Sequence, residues 1–341
     1  MNRLYVAQPV SAGLLLSYKC TSRCKHCMYA CSPRWKADWI SQANAEKVLG
    51  RLAGSIKPSP HGPTGIGVNT GLHFTGGEPF LNFDLLLRVT TIAHELGIPS
   101  TFAETNCFWC TDDDTTRARM AQLRDAGLDG ILISVNPFIL EEIPFERTKR
   151  AVRIGTEVFE SNALVYQAFF YSQFLDFGIR GKLGFREYLE LAPHSLRFVE
   201  LLPMGRAVYE LQDLYAGYPA RQFFGSSCST DLTRPWHVHI DNYCNYMPGF
   251  CGGISLGDAR DLDGLLGGID LGRRPILRAL VTDLRYLYDL ARSDYAYEER
   301  HQGYISRCHL CIDLRRHLAL KTDQFQELRP AELYQHLKDS L

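Results

Sequence analysis

Cys20-Thr21-Ser22-Arg23-Cys24-Lys25-His26-Cys27 is the stretch from which this chain is read. Its three cysteines are spaced C-x3-C-x2-C and follow directly on the apolar run Gly13-Leu14-Leu15-Leu16-Ser17-Tyr18. A loop this short can wrap one metal centre. Iron–sulfur clusters are ligated by cysteine thiolates, so these residues would hold all but one iron of a [4Fe–4S] cube. The remaining iron then lacks a protein ligand nearby, and an open metal position is where substrate chemistry occurs. A structural zinc knot is the competing reading: zinc takes four tight ligands, and His26 or Cys31 would complete the set.

A chain of 341 residues can bury a large core and is long enough for one large domain plus a smaller one. Hydrophobic content of 45% and charged content of 22% are those of a soluble globular protein. The formal net charge of −1 gives no electrostatic reason to expect nucleic acid, whose binding depends on basic patches. No apolar run approaches the ~20 residues that span a bilayer. The start, Met1-Asn2-Arg3-Leu4-Tyr5-Val6-Ala7-Gln8-Pro9, lacks a signal peptide's apolar stretch, so a cytoplasmic protein is expected. The 11 cysteines occur in tight groups, which in a non-secreted protein points to metal or redox chemistry before disulfides.

Outward from the cysteine loop, the sequence alternates. Residues 13–18 form a continuous apolar run with the length of a buried parallel strand, and 40–52 show helical spacing of Ile40, Val48, Leu49 and Leu52. Residues 57–70, rich in Pro, Gly and Thr, read as a surface loop. Strands are expected at 71–75, 100–104, 130–135, 164–170 and 196–202. Helices are expected at 84–97, at 112–127 (opened by three aspartates that suit the helix dipole), from the fourth strand to about 154, and at 185–191. Six βα units over about 200 residues fit a partial (β/α)6 TIM-like barrel, with a doubly wound open sheet as the alternative. Near 215 the βα rhythm gives way to denser Gly, His, Cys and Tyr, which sets expected domains of 1–215 and 216–341. Within the latter, 275–293 and 330–341 are helical by pattern.

Gly76-Gly77-Glu78-Pro79 ends the second strand, at the edge where parallel α/β folds place their ligands. Two glycines let the backbone come close to a ligand, and Glu78 can accept a hydrogen bond from an ammonium group. Alone the motif would read as a tight strand-to-helix turn. Lying one βα unit after the C-x3-C-x2-C loop, it resembles the signature of the radical S-adenosylmethionine (radical SAM) superfamily. The resemblance implies that Cys20, Cys24 and Cys27 bind a [4Fe–4S] cluster, and that its open iron binds the amino and carboxylate groups of SAM. Gly76, Gly77 and Glu78 would hold the methionine moiety. Reductive cleavage would then give methionine and a 5′-deoxyadenosyl radical that takes a hydrogen atom from substrate. Asn106, with Thr105 at the end of the third strand, and Ser134 and Asn136 at the end of the fourth, match polar positions that contact SAM in family members; capping of strand ends is the structural alternative. Pro203-Met204-Gly205-Arg206-Ala207 resembles a segment of members with an extra cluster domain, in which Arg206 either steers a carboxylate or makes a surface salt bridge.

The C-terminal cysteines form a second constellation: Cys228, the hairpin-like stretch Trp236 to Cys251, and Cys308-His309-Leu310-Cys311. The pattern resembles a SPASM/twitch auxiliary domain, and with no cysteine after Cys311 it resembles the shorter twitch form with one auxiliary [4Fe–4S] cluster. The resemblance implies Cys228, Cys251, Cys308 and Cys311 as its ligands. Cys244 stands near the hairpin turn where the family has glycine, either as a ligand in place of Cys228 or as a free thiol. A zinc ribbon on the same four residues is the alternative.

Cys31, Cys107, Cys110 and Cys244 are left over. Cys107-Phe108-Trp109-Cys110 follows Asn106 at the expected barrel mouth, where a thiol could return a hydrogen atom to a substrate radical as in radical SAM epimerases. The pair could also form a redox dithiol, bind metal, or pack as small apolar residues. His237 and His239 alternate on one strand face and so could share a site; without a third ligand nearby in sequence, solvated or core histidines are the expected reading. The expected activity is radical-initiated oxidation or cross-linking of a small molecule or peptide, fed by a flavodoxin- or ferredoxin-type reductant, with no nucleic-acid or membrane partner. Epimerisation is the alternative, and a non-catalytic electron carrier or sensor is the alternative of another class. With the motif beginning at Cys20, a large leader-peptide substrate is not expected.

Overall fold

The computed structural model describes residues 2–198 and 201–338. In chain order its strands are β1 (Arg3–Leu4), β2 (Ala12–Leu15), β3 (Leu72–Thr75), β4 (Thr101–Thr105), β5 (Gly130–Ser134), β6 (Ala163–Tyr166), β7 (Val238–Ile240), β8 (Asn245–Pro248), β9 (Gly257–Asp258) and β10 (Ile269–Asp270). By compactness the chain forms two units. One comprises Val10–Cys24 and Cys31–Leu201; the other comprises Met1–Pro9, Lys25–Ala30 and Leu202–Leu341. The change in composition near 215 falls inside the latter.

The first unit is built on a parallel sheet in which β2 pairs with β3, β3 with β4, β4 with β5 and β5 with β6. β2 and β3 are buried at every position, the pattern of a parallel sheet covered on both faces. Helices Gln42–Leu52, Phe83–Glu95, Asp113–Asp125 and Phe145–Phe159 connect these strands. Ser41, Asn82 and Asp112 start the first three by accepting a hydrogen bond from the amide three residues on. The strand order follows the sequence without reversal. A doubly wound sheet reverses at a switch point, so the arrangement is singly wound, as in a partial barrel.

Two sequence expectations need correction. The fifth expected strand (164–170) ends at Tyr166, and helix Ala168–Asp176 begins where the apolar run continues. Phe170 and Phe174 stand one helical turn apart and both meet the Tyr188 ring, at 6.0 and 5.8 Å, so packing turns an apolar run into a helix face. The sixth expected strand is absent among the described residues. Ser195–Phe198 is a 3-10 turn tied down by Gln173, whose side-chain amide donates to Ser195 Oγ at 2.7 Å, and residues 199–200 lie outside the described ones. Among the described residues five parallel strands are present where six were expected.

The second unit contains the antiparallel β7–β8–β9 sheet and the β1–β10 pair. The β7–β8 turn is organised by Asp241, whose Oδ1 accepts from the amides of Tyr243 at 3.0 Å and Asn245 at 2.8 Å. Cys244 occupies the left-handed region at φ +65° in this turn, the position where glycine is easiest. The helix expected at 275–293 is two helices, Pro275–Thr282 and Leu284–Tyr295. They break at Asp283, which caps the second through Arg285 N. At the C-terminus, Leu333–His336 is a single helical turn, and residues 339–341 lie outside the described ones. Helix Arg307–Lys321 carries Cys308 and Cys311 and gave no periodic signal. It buries Leu310, Cys311, Ile312, Leu314, Arg315 and Leu318 around its circumference, which leaves no apolar stripe to read. No helix among the described residues is long and apolar enough to cross a membrane.

The cysteine loop is anchored to the first unit by Trp35, which is 1% exposed and stacks on Tyr18 at 4.5 Å. Lys19 Nζ donates to the carbonyls of Pro33 (2.6 Å) and Trp35 (2.9 Å). Replacing Trp35 with Ala should destabilise this unit by about 3–5 kcal/mol, read as a lowered denaturant midpoint.

Candidate functional site

The C-terminal ends of β2 to β5 feed the residues singled out from sequence. Past the end of β2 and β3 the chain keeps pairing: Leu16 N donates to Thr75 O (3.0 Å), Gly77 N to Ser17 O (2.8 Å) and Glu78 N to Lys19 O (3.0 Å). The Gly76–Glu78 turn is therefore laid along the segment that enters Cys20. Gly76 has φ +128°, and a Cβ there would lie 2.3 Å from Ser17 O; one on Gly77 would lie 1.9 Å from Lys19 O. The sequence reading assigned the glycines to ligand approach. The close approach they permit here is that of the chain itself.

Glu78 is buried, with 1% exposure. Its Oε1 accepts from Thr105 Oγ1 at 3.0 Å and from Phe80 N at 3.3 Å, and its Oε2 from Asn106 N at 2.8 Å. Burial raises its pKa to about 7 against the opposing pull of these donors, and Glu104 adds to the rise. Asn106 also reaches the cysteine loop. Its Nδ2 donates to Thr21 Oγ1 (3.0 Å), Ser22 Oγ (3.3 Å) and Cys20 Sγ (3.7 Å). Ser22 N donates to the same sulfur at 3.4 Å. Asn106 Nδ2 and Ser22 N thus both approach Cys20 Sγ. Cys20, Gly76, Gly77, Glu78 and Asn106 thus form one connected group.

The other expected positions divide. Cys24 is half-buried in this unit, and Cys31 is buried. Ser134 ends β5, half-exposed. Asn136 caps helix Pro137–Leu140 by accepting from Ile139 N at 3.0 Å. Cys107 and Cys110 are fully buried. Burial and the neighbouring Cys110 hold the Cys107 pKa well above that of an ordinary thiol. Arg147 donates to Phe108 O, and Arg150 to Cys110 O at 2.8 Å, so two guanidiniums clamp this loop. Sequence reasoning missed these arginines, because backbone carbonyls as partners leave no trace in residue pattern.

In the second unit Cys27 lies beside the 203–207 segment. Arg206 N donates to Cys27 O at 3.0 Å, and a Cβ on Gly205 would meet Met28 Cα at 2.5 Å. Arg206 is fully buried, which rules out the surface salt bridge considered for it. Together with burial, its charge lowers the His26 pKa to about 4, so His26 is neutral. His237 and His239 are core histidines with 1% and 4% exposure, and His239 Nδ1 is bonded to Gly249 O at 2.8 Å.

Cys228, Cys251, Cys308 and Cys311 line one cavity of about 120 Å³, together with Arg234, Arg307 and Arg315. Burial, compounded by the neighbouring thiols, pushes the Cys308 pKa up to about 12 and those of Cys228 and Cys251 upward as well. Such thiols give up protons only to a cation that takes their place. Cys244 is elsewhere, lining an open pocket with Asp258, Arg274 and Arg329, so the four residues named above are the set that converges. A zinc ion with Zn–S bonds of about 2.3 Å would draw its four sulfurs to roughly 3.8 Å apart. Among the described residues no three of these sulfurs lie within 4.8 Å of one another. Four thiols converging on one cavity can hold either a zinc ion or an iron–sulfur cluster.

No family model and no curated protein matches the chain. Among solved structures it is similar to BtrN in complex with AdoMet and 2-DOIA, at 11% identity and TM-score 0.42, over 81% of this chain and 88% of that one. It is also similar to anSMEcpe with bound AdoMet, at 11% identity and TM-score 0.46, over 96% and 95%. Streptococcus suis SuiB bound to precursor peptide SuiA is similar at 14% identity and TM-score 0.36, over 89% and 76%. Each is a loose likeness.

Two outcomes are expected from the connected group. Gly77→Ala should destabilise the first unit by about 3 kcal/mol or more, because the atom met by the new Cβ is a backbone oxygen that cannot swing away. Glu78 has a folded pKa above its unfolded value of 4.5. Between about pH 4.5 and 7 the native state holds a proton that the unfolded chain has lost, so stability falls as pH rises through that window. The fall should be on the order of 3 kcal/mol in protein without added ligand, and Glu78→Gln should remove that slope from denaturant midpoints measured against pH.

Proposed function

We propose that this chain is a radical SAM enzyme. The reading is carried by the Gly76-Gly77-Glu78 turn, hydrogen-bonded to Ser17 and Lys19 immediately before Cys20, at the strand ends where parallel α/β folds bind ligands. Cys20, Cys24 and Cys27 would hold a [4Fe–4S] cluster by their spacing, and the donors on Cys20 Sγ suit that role. When bound, the cluster and SAM supply a 5′-deoxyadenosyl radical that takes a hydrogen atom from a substrate C–H bond.

The chain's own residues prepare the site. A carboxylate offers about four lone-pair positions. Thr105, Phe80 and Asn106 occupy three of those of Glu78, which leaves one for the ammonium of SAM. A cation there would draw the carboxyl pKa down from about 7, so ligand binding releases a proton and strengthens as pH rises. Ser134, half-exposed at the end of β5, would face the ribose or carboxylate. In the second part of the chain (216–341 in the sequence division), the thiols of Cys228, Cys251, Cys308 and Cys311 would hold one auxiliary [4Fe–4S] cluster of twitch type.

The outcome favoured is oxidation or cross-linking of a small molecule or peptide, with electrons from a flavodoxin- or ferredoxin-type reductant. A second reading, epimerisation, is favoured by Cys107. A hydrogen-atom donor must carry its hydrogen, and burial keeps this thiol protonated.

Protein reconstituted without oxygen and reduced with dithionite should convert SAM to 5′-deoxyadenosine. It should hold about eight irons per chain, falling to about four in Cys20→Ala/Cys24→Ala/Cys27→Ala, which should form no deoxyadenosine. Deuterium appearing in product made in deuterated water would select epimerisation. Fully iron-loaded protein that leaves SAM intact would overturn the enzyme reading and leave an electron carrier or sensor.

A further inference from the structure

The four-thiol cavity contains an electrostatic mismatch. Three guanidiniums line it, Arg234, Arg307 and Arg315, against one carboxylate, Asp231. Arg307 is paired with Asp231 at 2.7 Å. Arg315 is 3% exposed; its Nη1 donates to Gly252 O and Tyr334 Oη, both at 3.0 Å, and no carboxylate meets it among the described residues. Its Nε is buried with no hydrogen-bond acceptor. Arg234 lies over the rings of Trp236 at 4.3 Å and Phe250 at 4.7 Å, and its Nε is likewise buried without an acceptor. A buried donor without an acceptor is destabilising, and a buried guanidinium, Arg315, with a half-buried one, Arg234, each orphaned at Nε and lining one cavity, call for an anionic occupant that accepts hydrogen bonds.

Arg315 stands one turn after Cys311 on helix Arg307–Lys321, and Cys308 one turn before it, so thiols and guanidinium share a helix face. Tyr334 fixes the far side of the guanidinium and in turn donates to Gly253 O at 2.6 Å. The guanidinium is thus held through Nη1 and also interacts with the Cys311 thiol of its own helix, while its buried Nε finds no hydrogen-bond acceptor.

Resting on the auxiliary-cluster reading above, we propose that Arg315 and Arg234 are redox-tuning donors. Their Nε groups hydrogen-bond the sulfurs of the iron–sulfur centre held by Cys228, Cys251, Cys308 and Cys311, and thereby stabilise its reduced, more negative state. Hydrogen bonds to sulfur and nearby positive charge are levers by which a protein sets a cluster's potential. Reduction here is the uptake of one electron from an external donor with no bond made or broken, so the whole effect falls on the midpoint potential. A raised potential makes this centre an electron acceptor and favours net oxidation of substrate over return of a hydrogen atom.

The test uses full-length Cys20→Ala/Cys24→Ala/Cys27→Ala protein reconstituted with iron and sulfide, so that one centre remains. Its potential is followed by electron paramagnetic resonance during a dithionite titration. Arg315→Gln should retain about four irons per chain. At the parent's midpoint, its ratio of reduced to oxidised centre should fall roughly tenfold or more, as expected for losing a hydrogen bond to a charged group. Arg315→Lys, which restores the charge without the Nε donor, should recover part of the shift. Arg234→Gln, on a separate segment, should move the potential the same way. Unchanged midpoints in iron-loaded variants would overturn the proposal alone. Zinc in place of iron in the parent would overturn both the proposal and the auxiliary-cluster reading.

Discussion

The first unit depends on two backbone hydrogen bonds, Gly77 N to Ser17 O and Glu78 N to Lys19 O. They hold the turn after β3 against the entrance to the cysteine loop, and several other features follow from them. Residues 76 and 77 have to be glycine because the neighbouring carbonyls occupy the space of a Cβ. Glu78 is carried out of water and must find donors, which it does in Thr105, Asn106 and Phe80. Asn106, fixed by its amide to Glu78, turns its side chain onto Cys20. The circuit that begins at Lys19 closes one residue later.

Thr105 shows how completely this circuit is specified. Its hydroxyl donates to Glu78 and accepts from Cys107 N and from Trp109 Nε1, both at 3.0 Å. A hydroxyl has one donor and two acceptor positions, so its capacity is used in full. Trp109 is held in turn by stacking on Phe80 at 4.2 Å. A polar network in low dielectric is strong when every member is satisfied and weak when one is missing. The side chain left with spare capacity is Glu78, which has an acceptor position and a pKa near neutrality. That spare position is the one the proposed function gives to a ligand's ammonium group.

Much of this was legible in sequence, and the reasons are local. The C-x3-C-x2-C loop, the Gly-Gly-Glu-Pro turn and the β7–β8 hairpin leave their marks within a few residues, and β2 to β5 announce themselves as short apolar runs between turn residues. What was misread depended on distant partners. The run after Tyr166 is helical because Tyr188 lies across it. The 196–202 run is no strand where it is described, because Gln173 fixes Ser195 in a turn. Helix Arg307–Lys321 is buried on too many sides to show a stripe. Arg147, Arg150 and Arg206 act on backbone carbonyls or on a buried histidine, relations that a residue pattern does not record.

The two units solve opposite electrostatic problems with the same device. In the first, the Glu78 carboxyl is buried among neutral donors, and burial holds back its charge. In the second, the Arg315 guanidinium is buried beside thiols, those of Cys228, Cys251 and Cys308 pushed toward the protonated form by burial, and no carboxylate meets it among the described residues. Neither arrangement favours folding by itself, since an unpaired buried charge or a suppressed ionisation lowers stability. Natural chains retain such features where a ligand repays the loss on binding. For Cys228, Cys251, Cys308 and Cys311 the proposed cluster and a structural zinc ribbon differ in what they ask of the arginines, because a lone ion enclosed by four sulfurs brings no further acceptor for the buried guanidinium Nε groups. The proposed cluster, with sulfurs of its own to accept those donors, would use the cavity, the thiols and the arginines together.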